Sequence, residues 1–193
     1  LQSRFARDVT DQYRDTSDVA IQLDPTVAVG EGFAYACVFN GGRWIAIDWG
    51  RVEAGEARFE RLGRDVLYLP AVFRAGELEP AAAPFLLLED GAVVQLRGGD
   101  RDTLLVATAV SPSKVSPDTH VVTPVSRLEE GAPYVLRVWQ DGEGWVDVER
   151  LVAGKDAPCF ERLRPATLYW LVAEESRRLE RPFTIQGERQ RFW

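Results

Sequence analysis

The chain has 193 residues, 46% of them hydrophobic and 27% charged, enough apolar content to bury one large core or two small ones and too much for a disordered chain. Its 30 acidic residues against 23 basic ones leave a formal charge of -7, which opposes attraction to phosphate backbones and argues against a nucleic-acid partner. No stretch approaches the roughly 18 uncharged apolar residues of a membrane span, and none has the order of a signal peptide. The chain starts Leu1-Gln2-Ser3 and contains no methionine, which suggests a segment of a longer polypeptide.

In chain order, Leu1 to Tyr13 has a helix-like pattern, followed by a first strand at Val19 to Leu23. Asp8, Asp11, Asp15, Asp18 and Asp24 crowd this region but lack the glycine and closing glutamate of a calcium loop, so they read as turn aspartates. Phe33 to Phe39 runs into Asn40-Gly41-Gly42 and returns as Arg43 to Trp49, a hairpin written with the glycines that positive φ requires. Strands are expected at Val66 to Leu69, Phe85 to Leu88 and Ala92 to Leu96, and then at Leu104 to Ala109. A second glycine hairpin follows, Tyr134 to Trp139 and Trp145 to Val148 about Gln140-Asp141-Gly142-Glu143-Gly144. Thr167 to Val172 and Phe183 to Gln186 close the series, with Ala173 to Leu179 reading as a charged hairpin tip.

These elements repeat. Phe59-Glu60-Arg61-Leu62 recurs as Phe160-Glu161-Arg162-Leu163, 101 residues on, and Trp44, Asp48 and Leu67-Tyr68 have counterparts at the same spacing in Trp145, Glu149 and Leu168-Tyr169. Gly32 and Tyr35 answer to Gly131 and Tyr134 at 99, and Pro84-Phe85 to Pro182-Phe183 at 98. Short strands with turn signals between them, and almost no helical period to serve as crossovers, predict an all-β protein. The expected architecture is two tandem homologous antiparallel β-sandwich domains, of immunoglobulin-like or jelly-roll-like type, spanning 1–100 and 101–193. The seam, near Arg97 to Asp102, is polar and short, so the two domains are expected to share an apolar interface and act as one rigid unit.

The motifs are similar to those in the C-terminal region of large secreted transglutaminase-like proteins of gut bacteria, outside the catalytic core. The residues carrying the resemblance are Asp8-Val9-Thr10 with Asp18-Val19, Val38-Phe39-Asn40 leading to Trp44 and Trp49-Gly50, Leu67 to Pro70, and Pro84-Phe85. Leu168 to Leu171, Glu180 to Thr184 and the final Phe192-Trp193 complete it. The resemblance implies a β-sandwich appendage on a secreted, cell-surface or periplasmic protein, and it carries over no catalytic residue.

Chemistry is sparse. Cys37 lies mid-strand and Cys159 lies 122 positions away, so the two read as unpaired apolar residues. His120 is the only histidine and stands in a proline-flanked strand or loop, which favours a surface or edge histidine over a catalytic one. One histidine and two distant cysteines make no zinc ligand set, so no metal and no cofactor is expected. Paired carboxylates remain an open hydrolase reading because sequence spacing does not reveal their separation. Asp48, between Ile47 and Trp49, is the foremost of these, although its match to Glu149 favours a role in the shared fold.

Of the six tryptophans, Trp44 and Trp145 are repeat-equivalent and read as core, and Trp170 replaces Leu69 at an interior position. Trp49, matched by Arg150, and Trp139, at the mouth of the second hairpin, are the two expected at the surface. The ligand-binding candidates are therefore Trp49, Trp139 and Asp48. The expected function is a non-catalytic accessory region that positions or binds other domains of the same full-length protein. A carbohydrate-binding module, with a glycan as partner, is the alternative.

Overall fold

In the computed structural model the described residues are 15–27, 32–96, 107–111, 119–122, 128–174, 181–187 and 189–193. The chain is all-β, with every ladder between its strands antiparallel and a single 3₁₀ turn at Pro25–Val27 as the one helical piece among the described residues. Spatial proximity divides it into two compact units, Leu1–Leu96 and Arg97–Trp193. The helix-like segment Leu1 to Tyr13, the seam Arg97 to Asp102 and most of the charged tip before Leu179 lie outside the described residues.

In the first unit the strands are β1 (Thr16–Gln22), β2 (Gly32–Asn40), β3 (Arg43–Glu53), β4 (Glu56–Gly63), β5 (Val66–Arg74), β6 (Glu77–Pro80), β7 (Phe85–Leu87) and β8 (Val93–Gln95). They pair in the order β1-β4-β3-β2-β5-β7-β8, with β6 beside β5. The sheet curls around one core, since Val19 of β1 and Phe59 of β4 share a cluster with Tyr68 of β5 and Phe85 of β7. Its first hairpin is as expected: Asn40 pairs with Arg43 across Gly41 and Gly42, both at positive φ (62° and 80°). The strand β4 was not anticipated. Its apolar Ala57 and Phe59 alternate with Glu56, Arg58 and Glu60, so one face enters the core while the whole segment reads as charged.

In the second unit β9 (Thr108–Val110), β10 (Thr119–Val121) and β13 (Cys159–Glu161) form one sheet, ordered β10-β13-β9. A second sheet contains β11 (Pro133–Gln140), β12 (Gly144–Val152), β14 (Tyr169–Ala173), β15 (Phe183–Gln186) and β16 (Arg189–Phe192), in the order β12-β11-β14-β15-β16. Leu136, Phe160, Tyr169 and Phe183 lie in its core.

Several ladders of the two units correspond. Cys37 faces Leu69 in one and Arg137 faces Trp170 in the other; Tyr68 faces Phe85 and Tyr169 faces Phe183; Val19 faces Phe59 and His120 faces Phe160. Both long hairpins carry a β-bulge at the same place, where Ile47 and Val148 are the extra residues. The left-handed residues recur as well, Arg61 (φ 55°) with Arg162 (63°) and Asp65 (62°) with Ala166 (54°). One correction concerns the spacing of the first strand. The ladder sets β2 against β11 at 100 residues, not 99, so that Tyr134 stands where Ala34 does, and both are buried in their cores. The turn of the second hairpin is one residue longer, and the spacing becomes 101 beyond it.

The units part at the next turn. In the first, Ala54 and Gly55 (φ 50° and 78°) make a two-residue turn that brings β4 back along β3, with Val52 against Ala57. Gly50 permits this, because a Cβ there would collide with the Arg58 carbonyl oxygen and stand 2.9 Å from Phe59 Cδ1. The corresponding residues in the second unit are Leu151, Lys155, Asp156 and Pro158. Leu151 supplies the side chain that Gly50 lacks, and neither Lys155 nor Asp156 takes a positive φ. There β13 pairs with β9 on the side where β4 meets β3.

Candidate functional site

On β2 the small residues Ala34 and Ala36 point into the core, which sends Phe33 and Tyr35 to the opposite face. The register places Tyr35 between Trp49 of β3 and Ala71 of β5, and Phe33 opposite Arg51. Phe73 lies two residues beyond Ala71 and so shares its face. Three large apolar side chains thus gather at one end of one face: Phe33 is 51% exposed, Trp49 53% and Phe73 61%. The Phe33 and Trp49 rings meet edge to face, with centroids 5.0 Å apart and planes at 89°.

Asp48 precedes Trp49 immediately after the bulge. Its Oδ1 accepts the Trp49 backbone N–H at 2.8 Å, which fixes the chain direction just where the indole leaves the sheet. Burial, the largest influence, pushes the Asp48 carboxyl above its ordinary range; the Trp49 N–H acts against this, and the Glu60 carboxylate adds to the rise. The rim carries both signs of charge. Arg51 stands beside Phe33, and across from it Arg58 is held by Glu56 at 2.9 Å. Such a surface offers contact area and π faces to a flat or apolar partner with little net charge to select among ions.

Of the three candidates from sequence, Trp49 stands on this face, Asp48 is paired with Ala36 on the opposite face and reaches Trp49 only through its backbone, and Trp139 lies elsewhere. Trp139 is a correction: it is 3% exposed, packed edge to face on Trp145 at 5.4 Å, and so is not a surface residue. Its place at a hairpin mouth had suggested exposure. In fact the cross-strand neighbour directly opposite is a second tryptophan, and two indoles side by side cover each other. Trp44 and Trp145 are half-buried and belong to neither core cluster, which corrects their reading as core; Trp44 packs on Phe39 at 5.2 Å. Trp170 is buried like Leu69, as its match implied, with the Arg137 guanidinium 5.5 Å from its ring centroid.

Phe33 and Phe73 were missed by the sequence reading, although the alternation of Phe33 and Tyr35 with alanines contains the signal for the first. Of the remaining groups, His120 lies on the edge strand β10. Cys37 and Cys159 are buried and free, and burial pushes the Cys37 thiol up to about 12. Asp18 accepts the Arg61 N–H and Asp24 the Thr26 N–H, both backbone-capping roles, whereas Asp8 and Asp11 lie outside the described residues. Among the described residues no group of three or more His, Cys, Asp and Glu could hold a metal. No helix of the described residues is long and apolar enough to cross a membrane. No family model, no curated protein and no solved structure matches the chain.

Proposed function

We propose that the chain is a non-catalytic interaction region, two copies of one antiparallel β domain, and that it docks other domains of a larger secreted or surface protein through the aromatic face of its first unit. The observation that supports this is the grouping of Phe33, Trp49 and Phe73, each more than half exposed, on adjoining strands of one sheet face. Isolated exposed apolar residues are ordinary on a protein surface, but three large ones converging on one spot are the mark of a contact site. Two of them are aromatic neighbours locked edge to face, so little side-chain entropy is left to lose on binding. The paired ladders and shared bulges favour the reading as duplicated domains, and the resemblance motifs favour the accessory role.

The test is sedimentation velocity or calorimetry with the intact chain and the separately expressed remainder of its full-length polypeptide, alongside a glycan array. Binding to that remainder which falls at least tenfold in Trp49→Ala bears the reading out. Glycan retention lost in the same variant would replace it with a carbohydrate-binding module. Binding unaffected by both Trp49→Ala and Phe73→Ala would overturn it.

A further inference from the structure

The parting of β12 from β13 leaves a cleft of about 290 Å³ in the second unit. Its walls are β9 at Ala109 and Val110, the end of β12 at Leu151 and Val152, and the stretch from Ala153 to Cys159, with Leu128 closing one side. The size falls at the small end of the range of roughly 300–1,000 Å³ typical of small-molecule sites. A peptide strand does not fit. Cα atoms of β9 come within 8 Å of those of β12, whereas a strand inserted between them needs two spacings of about 4.8 Å.

The lining is mostly aliphatic, with few polar side chains: Ser111, Lys155, Asp156 and the Cys159 thiol. The thiol faces the Ala157 carbonyl oxygen at 3.7 Å and forms part of the wall. Lys155 and Asp156 are different. They are consecutive and exposed on the lip, and among the described residues no hydrogen bond or ion pair engages either side chain. A cleft with an apolar floor and one free cation beside one free anion is complementary to a molecule that carries both charges on a short apolar body.

We propose that this cleft binds a small aliphatic zwitterion, an α-amino acid with a branched side chain. The side chain lies against Leu128, Leu151 and Pro158, the carboxylate meets the Lys155 ammonium, and the ligand's ammonium meets Asp156. A singly charged analogue satisfies one of the two and leaves the other facing a like charge or none. The proposal is independent of the aromatic face, which lies on the first unit.

The experiment is a titration of the isotope-labelled intact chain followed by amide NMR, with leucine, 4-methylpentanoate and isoamylamine as probes. The expectation is a leucine dissociation constant on the order of 1 mM, given so few ligand atoms, with shifts centred on Ala153, Gly154 and Cys159. Both singly charged analogues bind about fivefold more weakly. Lys155→Ala abolishes the advantage of leucine over isoamylamine, and Asp156→Ala its advantage over 4-methylpentanoate. Both variants sit on an exposed loop and leave the spectrum otherwise unchanged. No leucine shift at about 20 mM, shifts away from the cleft, or affinities indifferent to both variants would overturn the proposal.

Discussion

The chain from Gly50 to Phe59 and the chain from Leu151 to Phe160 are equally long and end on equivalent phenylalanines, yet one closes into a hairpin and the other opens into a cleft. Few positions separate them. Gly50 and Gly55 allow close approach and a left-handed turn, where Leu151 and Asp156 deny both. A ladder can therefore be lost while the core beneath it persists, since Phe59 and Phe160 are buried alike and both units keep the stacked pair of tyrosine and phenylalanine, Tyr68 on Phe85 and Tyr169 on Phe183. Specificity of pairing resides in the backbone, and burial resides in the alternation.

The strongest test of that contrast is in the buried phenylalanines. Phe59→Ala and Phe160→Ala should each cost about 3–5 kcal/mol by chemical denaturation of the respective unit. A cost in one unit far below that in the other would show that the units do not rest on equivalent cores. Gly50→Ala comes next, at about 3 kcal/mol, because the new Cβ must displace the β4 backbone. Gly154→Ala, with open space around it and no positive φ, should change stability by less than about 0.5 kcal/mol.

Much of this was legible in the sequence, for reasons visible in particular residues. The Asn40-Gly41-Gly42 turn dictates its own conformation, and the repeat at Phe59 and Phe160 marks core because bulk and spacing are both preserved. Three strands escaped, β4, β6 and β16, and β10 read only as a strand or loop. The charged β4 and the short β6, β10 and β16 hold too few apolar positions to show a period, and their pairing is set by neighbours distant in sequence. At the candidate site, Trp49 was legible because its counterpart in the repeat is Arg150 rather than an aromatic residue. The burial of Trp139 was not, since it depends on which residue lies opposite across a three-residue turn.

Smaller effects sharpen the comparison. The hydroxyls of Tyr68 and Tyr169 reach equivalent backbone sites but bond oppositely: Tyr68 donates to the Gly63 carbonyl oxygen at 2.9 Å, and Tyr169 accepts the Arg164 N–H at 2.9 Å. Substitution by phenylalanine should cost about 1 kcal/mol at each, with the Tyr169 variant the more costly because a backbone N–H is left without its acceptor. Cys37 should contribute a pH dependence that its counterpart Arg137 does not. Its folded-state value is raised, so the thiol's contribution is complete below about pH 9 and declines as pH rises towards 12, where the unfolded chain ionises first. The stability lost between about pH 8 and pH 10.5 should exceed that of Cys37→Ala by about 2 kcal/mol, measured by denaturation at both values. Trp49→Ala should alter stability little, by about 0.5 kcal/mol, since the indole is more than half exposed.

Hydrogen exchange of the intact chain, read by mass spectrometry on the segments 50–58 and 151–159, addresses the contrast most directly. The paired β3 and β4 should protect the first, while the second, whose β12 and β13 do not pair, should exchange at least about tenfold faster between Gly154 and Ala157. The strands β2 and β11 serve as the internal reference, slow in both units. Equal protection of the two turn segments would contradict the account, because it would mean that Leu151 and Asp156 do not open the second hairpin.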